Sequence, residues 1–182
     1  MTTTSRITAE EFGQMTFDSP VELVRGEVVE MNRPGGVHGV VCFNVAQLLG
    51  RWRGDAENHL VLTNDAGVIT AHHPDTVRGP DVFVIARSRL PEGRIPPGYL
   101  DVAPELIVEV VSSSDRWSDV IAKVADYLQV GVQEAWIVDP EQKRIHVYTG
   151  DAEPHVFDAS AEVSSRALPG LQFHVNDLFR GV

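Results

Sequence analysis

Leu106-Ile107-Val108-Glu109-Val110-Val111 is an apolar run broken by one carboxylate. Apolar side chains at successive positions cover both faces of a strand, so the run reads as a central strand buried on both sides. An isolated ionised carboxylate there is very unfavourable, and it needs a cation, a metal ion or a raised pKa. Pro80-Asp81-Val82-Phe83-Val84-Ile85 repeats the pattern, with its acid near the start. Two buried strands, each contributing one carboxylate, make a candidate metal site. For Glu109 alone the plainer reading is an arginine-paired glutamate or one at a frayed strand end, because structural ion pairs also perturb acids. The second acid, together with Lys123 in the next helix, tips the balance toward a site.

Downstream, Ser112-Ser113-Ser114-Asp115 offers several candidate N-caps for a helix running to about Val130 and closed by Gly131. Glu134 to Pro140 and Arg144 to Tyr148 form a strand pair across a Glu141-Gln142-Lys143 turn. Strand, helix and strand from Glu105 to Asp139 then make a crossover unit. Upstream, Thr8-Ala9-Glu10-Glu11 is a capping-box pattern that starts a short helix through about Met15. Val21 to Met31 reads as a hairpin turning at Arg25-Gly26. Val37 to Trp52, after the break at Pro34-Gly35-Gly36, has Val41, Val45, Leu48 and Trp52 at helical spacing. His59 to Leu62 and Val68 to Thr70 are expected strands, a Pro/Gly-rich loop spans Arg87 to Ala103, and a short helix over Asn176 to Arg180 ends the chain. The expected fold class is α/β, one domain over residues 1–182 with a central mixed β-sheet flanked by helices.

The 182 residues suit one domain with a substantial core, and 43% hydrophobic and 23% charged residues are ordinary globular values. The lone cysteine, Cys42, excludes a disulfide framework within the chain. No apolar run approaches the ~20 residues of a membrane span, so no membrane partner is expected. Met1 to Arg6 lacks the apolar core of a signal peptide, and a reducing cytoplasm is the expectation. The net charge of −11, from 15 Lys+Arg against 26 Asp+Glu, weighs against broad binding to a phosphate backbone. It leaves room for a local basic surface, such as Arg51 with Arg53, or Arg87, Arg89 and Arg94; solvated surface is the plainer reading of both.

Other chemistry-bearing residues read more simply. His38 could make a helix-start hydrogen bond, sit at the core edge, or contact substrate. His72 and His73 lie in an expected loop beside Asp75; adjacent histidines are poorly placed to share one ion, so surface is the better reading. Ser112-Ser113-Ser114 lacks the glycines of a nucleophile elbow, and capping explains it. Neither a Walker motif nor a dinucleotide-binding glycine motif is present.

Strand alternation puts Ile107, Glu109 and Val111 on one face and Val108 and Val110 on the other. A lysine two residues after Glu109 would stand beside its carboxylate, but Val111 occupies that position. The nearest substitute is Lys123, on the flank of the helical stripe Trp117, Val120, Ile121, Val124 and Leu128, near Tyr127. From a flank a lysine can snorkel to the strand end or face water; by position alone, water is expected.

Taken in order, Glu22 to Val29, the helix opening near His38, Pro80-Asp81, Glu105 to Ser112, Lys123, Tyr127 and Gly131 to Pro140 resemble a known family. It is the bacterial family called putative restriction endonucleases, a branch of the PD-(D/E)XK nuclease superfamily whose lysine has migrated from the strand to the next helix. The resemblance implies a restriction-endonuclease-like core and metal-dependent phosphodiester hydrolysis. Carried over residue by residue, Asp81 is the motif aspartate, Glu109 the motif glutamate and Lys123 the migrated lysine. Glu27 matches the family's early acid, with Glu22 a weaker second candidate. Val111 departs from the superfamily's commonest pattern and agrees with this branch.

The residue types suit that chemistry. Mg²⁺, with Mn²⁺ as a substitute, prefers oxygen ligands and one or two carboxylates, here Asp81 and Glu109, with Glu27 as an outer or additional ligand. The backbone carbonyl of Val110 is a natural further ligand. Lys123, between acids, would keep its proton and stabilise developing charge instead of acting as a base. The leading expectation is a DNA endonuclease. A nuclease-like nucleic-acid-binding or assembly module with weak or no catalysis is the alternative, and a hydrolase of smaller phosphate esters is a third. A C2 homodimer is the generic expectation for assembly.

Overall fold

The computed structural model describes residues 6–54, 57–150 and 152–182. In chain order its first half comprises α1 (Ala9–Gln14), β1 (Val21–Val24), β2 (Glu27–Glu30), α2 (Gly36–Arg53), β3 (His59–Thr63), β4 (Val68–Ala71), β5 (Thr76–Arg78) and β6 (Val82–Ala86). There follow β7 (Leu106–Val110), α3 (Trp117–Val130), β8 (Glu134–Asp139), β9 (Arg144–Tyr148), β10 (His155–Asp158), β11 (Glu162–Ser164), β12 (Gln172–His174) and a 3₁₀ turn over Val175–Phe179.

The main sheet has the order β10-β9-β8-β7-β6-β3 and is mixed. β7 and β8 are parallel, which requires a crossover such as α3 provides, and the other neighbours are antiparallel. Every residue of β7 and β8 is buried, as the apolar run predicts. Alternation then sorts the side chains. Val82, Val84, Leu106, Val108 and Val110 pack with Val41, Val45 and Leu49 of α2. Phe83, Ile85 and Ile107 pack with Tyr127 of α3, and Ala135 and Ile137 with Val120 and Val124. Glu109, in phase with Ile107, therefore lies on the face that α3 covers.

A smaller sheet, β2-β1-β5-β4, stands beside this core. Its β1–β2 hairpin turns at Arg25 (φ 52°) and Gly26 (φ 78°), the positive φ pair that a two-residue primed turn requires. Any Cβ at Gly26 would come within 2.6 Å of Arg6 Cβ. The Thr8–Glu11 capping box forms as expected.

Several expectations are corrected. The α2 residue in the core is Leu49, while Leu48 is half-buried; a one-position rotation separates them on the wheel. Ser112–Ser114 do not cap α3, which starts after Arg116 without a side-chain cap. Asp115 instead accepts from the Ser112 amide at 2.8 Å, and the Ser112 and Ser114 hydroxyls pair at 2.9 Å. Those groups close a local turn before the helix begins. At the other end Gly131 (φ 103°) caps as expected, with the Val132 amide donating to the Tyr127 carbonyl. The short β5 was missed, and the expected Asn176–Arg180 helix is the 3₁₀ turn.

Candidate functional site

Glu109 is 6% exposed, one residue before the end of β7. Lys123 lies across from it on α3, with its Nζ 3.4 Å from Glu109 Oε2 and 2.9 Å from Glu22 Oε1. Helix position alone favours water for Lys123, but α3 roofs the sheet face that carries Glu109, and the side chain points into the pocket, where the resemblance expects the migrated lysine. A flank position on that roof aims the ammonium at the two carboxylates. One helical turn on, Tyr127 donates its hydroxyl to Glu109 Oε1.

Glu22 reaches the same point from β1, buried to 4% exposure. Arg78, at the end of β5, donates to Glu22 Oε2 at 2.8 Å and to Asp126 of α3 at 2.6 and 2.8 Å. The Gly79 amide also donates to Glu22, at 3.1 Å. Glu27 is not brought here. It lies opposite Val24 at the turn end of the hairpin, exposed, while Glu22 lies opposite Val29, two residues farther along. That offset amounts to about 6–7 Å of strand. Glu22 is thus the acid of this hairpin that lines the pocket, and Glu27 is outside it.

Asp81 immediately precedes β6. The register pairs Val82 with Val108, so its continuation sets Asp81 beside Glu109 and Pro80 beside Val110. Asp81 Oδ2 accepts the Val110 amide at 2.6 Å, and Oδ1 lies 3.1 Å from Nε2 of His38, in the first turn of α2. The N–H and C=O of a strand residue point the same way, so the Val110 carbonyl also faces the Asp81 side. Pro80, the residue opposite, has no N–H to give it. One open pocket is lined by Glu22, His38, Asp65, Arg78, Asp81, Glu109, Val110 and Lys123, with Phe12, Val21 and Tyr99 among its apolar walls. Sequence reasoning missed Arg78 and Asp65, and placed Glu22 second. A buried arginine on an unassigned three-residue strand leaves no periodic signal. His38 makes a side-chain hydrogen bond, though to Asp81 and not to its own helix start.

Burial pushes the Glu109 carboxyl up to about 7; Asp81 and Glu22 push the same way, against the pull of Lys123 and Tyr127. Burial opposes charge on Lys123 as well, but Glu109 and Glu22 outweigh it and raise the ammonium above its ordinary value. Glu22 ends below its ordinary value because Lys123 and Arg78 overcome its burial. His38 is raised despite burial, through its hydrogen bond and charge interaction with Asp81. The pocket thus retains a fixed cation, while Glu109 sits at the edge of ionisation. Removing the Tyr127 hydroxyl takes away one donor to the ionised form. Tyr127→Phe is therefore expected to cost about 1–3 kcal/mol and to move the Glu109 titration upward, read by carboxyl-resolved NMR. An unmoved titration would remove Tyr127 from the site.

Asp81, Glu109 and the Val110 carbonyl opposite Pro80 offer hard oxygen donors of the kind a small divalent cation selects. The fold that holds them is α/β with a restriction-endonuclease-like core, a mixed sheet flanked by helices. The chain belongs to the family described as Putative restriction endonuclease, whose model matches residues 9–176. Its fold is similar to that of a putative nuclease belonging to DUF820 from Anabaena variabilis, with a TM-score of 0.82. The two are 23% identical, and the match covers 95% of this chain and 97% of that one. No curated protein matches the chain. Among the described residues, no helix is long and apolar enough to cross a membrane.

Proposed function

We propose that this chain is a metal-dependent nuclease that hydrolyses phosphodiester bonds in DNA, cutting internally. The observation that carries this reading is the meeting of Asp81 from the entry to β6, Glu109 from β7 and Lys123 from α3 in one open pocket. Asp81, Glu109 and the Val110 carbonyl would hold Mg²⁺ or Mn²⁺, which when bound neutralises phosphoryl charge and activates the attacking water. His38 and the Val110 amide hold the Asp81 carboxylate in place. Lys123 keeps its proton and supplies positive charge where negative charge develops in the transition state. Glu22, itself held by Arg78 and the Gly79 amide, keeps the Lys123 ammonium from swinging out to solvent.

The test is a calorimetric titration of Mg²⁺ and Mn²⁺ into wild type and Asp81→Ala, followed by incubation with supercoiled plasmid, linear DNA and RNA. Wild type should bind the ion and nick plasmid, and the variant should do neither. Wild type that binds the ion and nucleic acid yet cuts nothing would favour the non-catalytic binding module. Cleavage confined to RNA would overturn the choice of DNA.

A further inference from the structure

On α2, His38 and Cys42 are four residues apart, so one helical turn stacks them on one side of the helix. Asp81 faces the same spot. An imidazole nitrogen, a thiol sulfur and a carboxylate oxygen there lie within 4.8 Å of one another. Through His38 Nε2 the spacings are 3.1 Å to Asp81 Oδ1 and 3.8 Å to Cys42 Sγ. Zinc bonds of about 2.0 Å to nitrogen or oxygen and 2.3 Å to sulfur put tetrahedral neighbours about 3.3–3.5 Å apart. The two edges through His38 are therefore already close to those of such a tetrahedron, and the sulfur–carboxylate edge lies within 4.8 Å. The donor set differs in kind from the all-oxygen set at Glu109. Sulfur and imidazole favour zinc over magnesium. His38 and Asp81 also line the open pocket, which leaves a fourth position for water.

We propose that His38, Cys42 and Asp81 form a second, thiophilic metal site that takes Zn²⁺ and, by claiming Asp81, weakens the hard-cation site at Glu109. The inhibitory consequence rests on the nuclease reading; the zinc site itself does not. As zinc binds, the Cys42 thiol and the His38 Nε2–H that faces Asp81 each release a proton to solvent, and zinc–sulfur and zinc–nitrogen bonds form in their place. The Asp81 Oδ1 contact to the imidazole is exchanged for one to the metal. Two divalent ions drawing on one carboxylate repel each other, so zinc occupancy raises the dissociation constant of the other ion.

Co²⁺ serves as the coloured stand-in for zinc. Cys42 is the only cysteine, so a near-ultraviolet thiolate-to-cobalt charge-transfer band reports this residue alone. The band should form in wild type, bleach when Zn²⁺ displaces cobalt, and be absent in Cys42→Ala and Cys42→Ser. Zinc affinity should fall by roughly tenfold or more in both variants, since loss even of a ligand's outer partner costs that much. One equivalent of Zn²⁺ should weaken Mn²⁺ binding by about tenfold or more in wild type and leave both variants unaffected. No band, or a band that survives in the variants, overturns the site. A band with unchanged Mn²⁺ affinity overturns the competition. Protein that shows the band and the competition yet cuts no nucleic acid sinks the nuclease reading and leaves the zinc site standing.

Discussion

Lys123→Ala is expected to lower Mn²⁺-dependent cleavage by about 10²–10³-fold, the loss that follows removal of one preorganised stabiliser of transition-state charge. The same change should destabilise the fold. The Lys123 side chain is 12% exposed, and its ammonium is shared by Glu22 and Glu109. Removing one partner of a buried ion pair costs about 3–5 kcal/mol. Glu109 can escape part of that cost by taking up a proton, and Glu22 keeps Arg78, which puts the loss near the lower end. At roughly 2–4 °C per kcal/mol for a chain of this size, the melting temperature should drop by about 6–12 °C. In a Glu109→Gln background the stability loss should shrink, since one of the two stranded charges is gone. Val111, half-buried against the Val120–Val124 cluster on the Glu109 face, offers a rescue position. Adding Val111→Lys to Lys123→Ala should return part of the cleavage. A folded Lys123→Ala protein that cuts at the wild-type rate would remove the lysine from the chemistry.

Metal affinity should fall steeply with acidification, by about tenfold per pH unit below pH 7, because the ion must displace the proton on Glu109. Between pH 8 and pH 5 this amounts to about a hundredfold. His38, also raised, contributes in the same direction, since its protonated ring competes with a cation for Asp81. Without metal the dependence of stability on pH has the opposite sign. The Glu109 carboxyl rises from 4.5 to about 7 on folding, so the native state holds a proton that the unfolded chain has released. Its contribution to stability is present below about pH 4.5 and fades as pH climbs to about 7, a loss on the order of 3 kcal/mol. Saturating Mn²⁺ should reverse the trend. An ion at a hundredfold excess over Kd adds about 2.7 kcal/mol, enough for several degrees of melting temperature. Calorimetry in buffers of different ionisation enthalpy should find about one proton released per ion near pH 6. Affinity that is flat from pH 5 to pH 8, or melting unaffected by millimolar Mn²⁺, would overturn a site built on Glu109.

The sequence showed the sheet's centre plainly, because an apolar hexapeptide that buries both faces has few other places to go. It also showed which acids were anomalous, since Glu109 interrupts such a run and Asp81 opens another. The β1–β2 hairpin and α1 were legible through turn and capping chemistry, which is local. What the sequence hid was long-range. Lys123 and Glu22 lie 101 residues apart in the chain numbering and meet only because β1 pairs with β5 and α3 crosses above. Choosing Glu22 over Glu27 required knowing which end of the hairpin abuts the pocket, and both are single acids in short alternating strands. Arg78 belonged to a strand too short to show a period. The three serines before α3 were misjudged because a helix start is decided by competition between neighbouring turns, which residue type alone does not resolve.

Placing the basic group on α3 instead of on β7 also has a consequence for how the chain comes to life. Glu109 and Asp81 can be aligned as soon as β6 and β7 pair, but the ammonium arrives only when the crossover helix has docked, with Tyr127 and Asp126 beside it. The helix that closes the core is thus also a safety catch. On the nuclease reading proposed above, a nascent or partly opened molecule, with α3 lifted off the sheet, carries its carboxylates without the Lys123 cation and is disarmed toward nucleic acid until folding is complete.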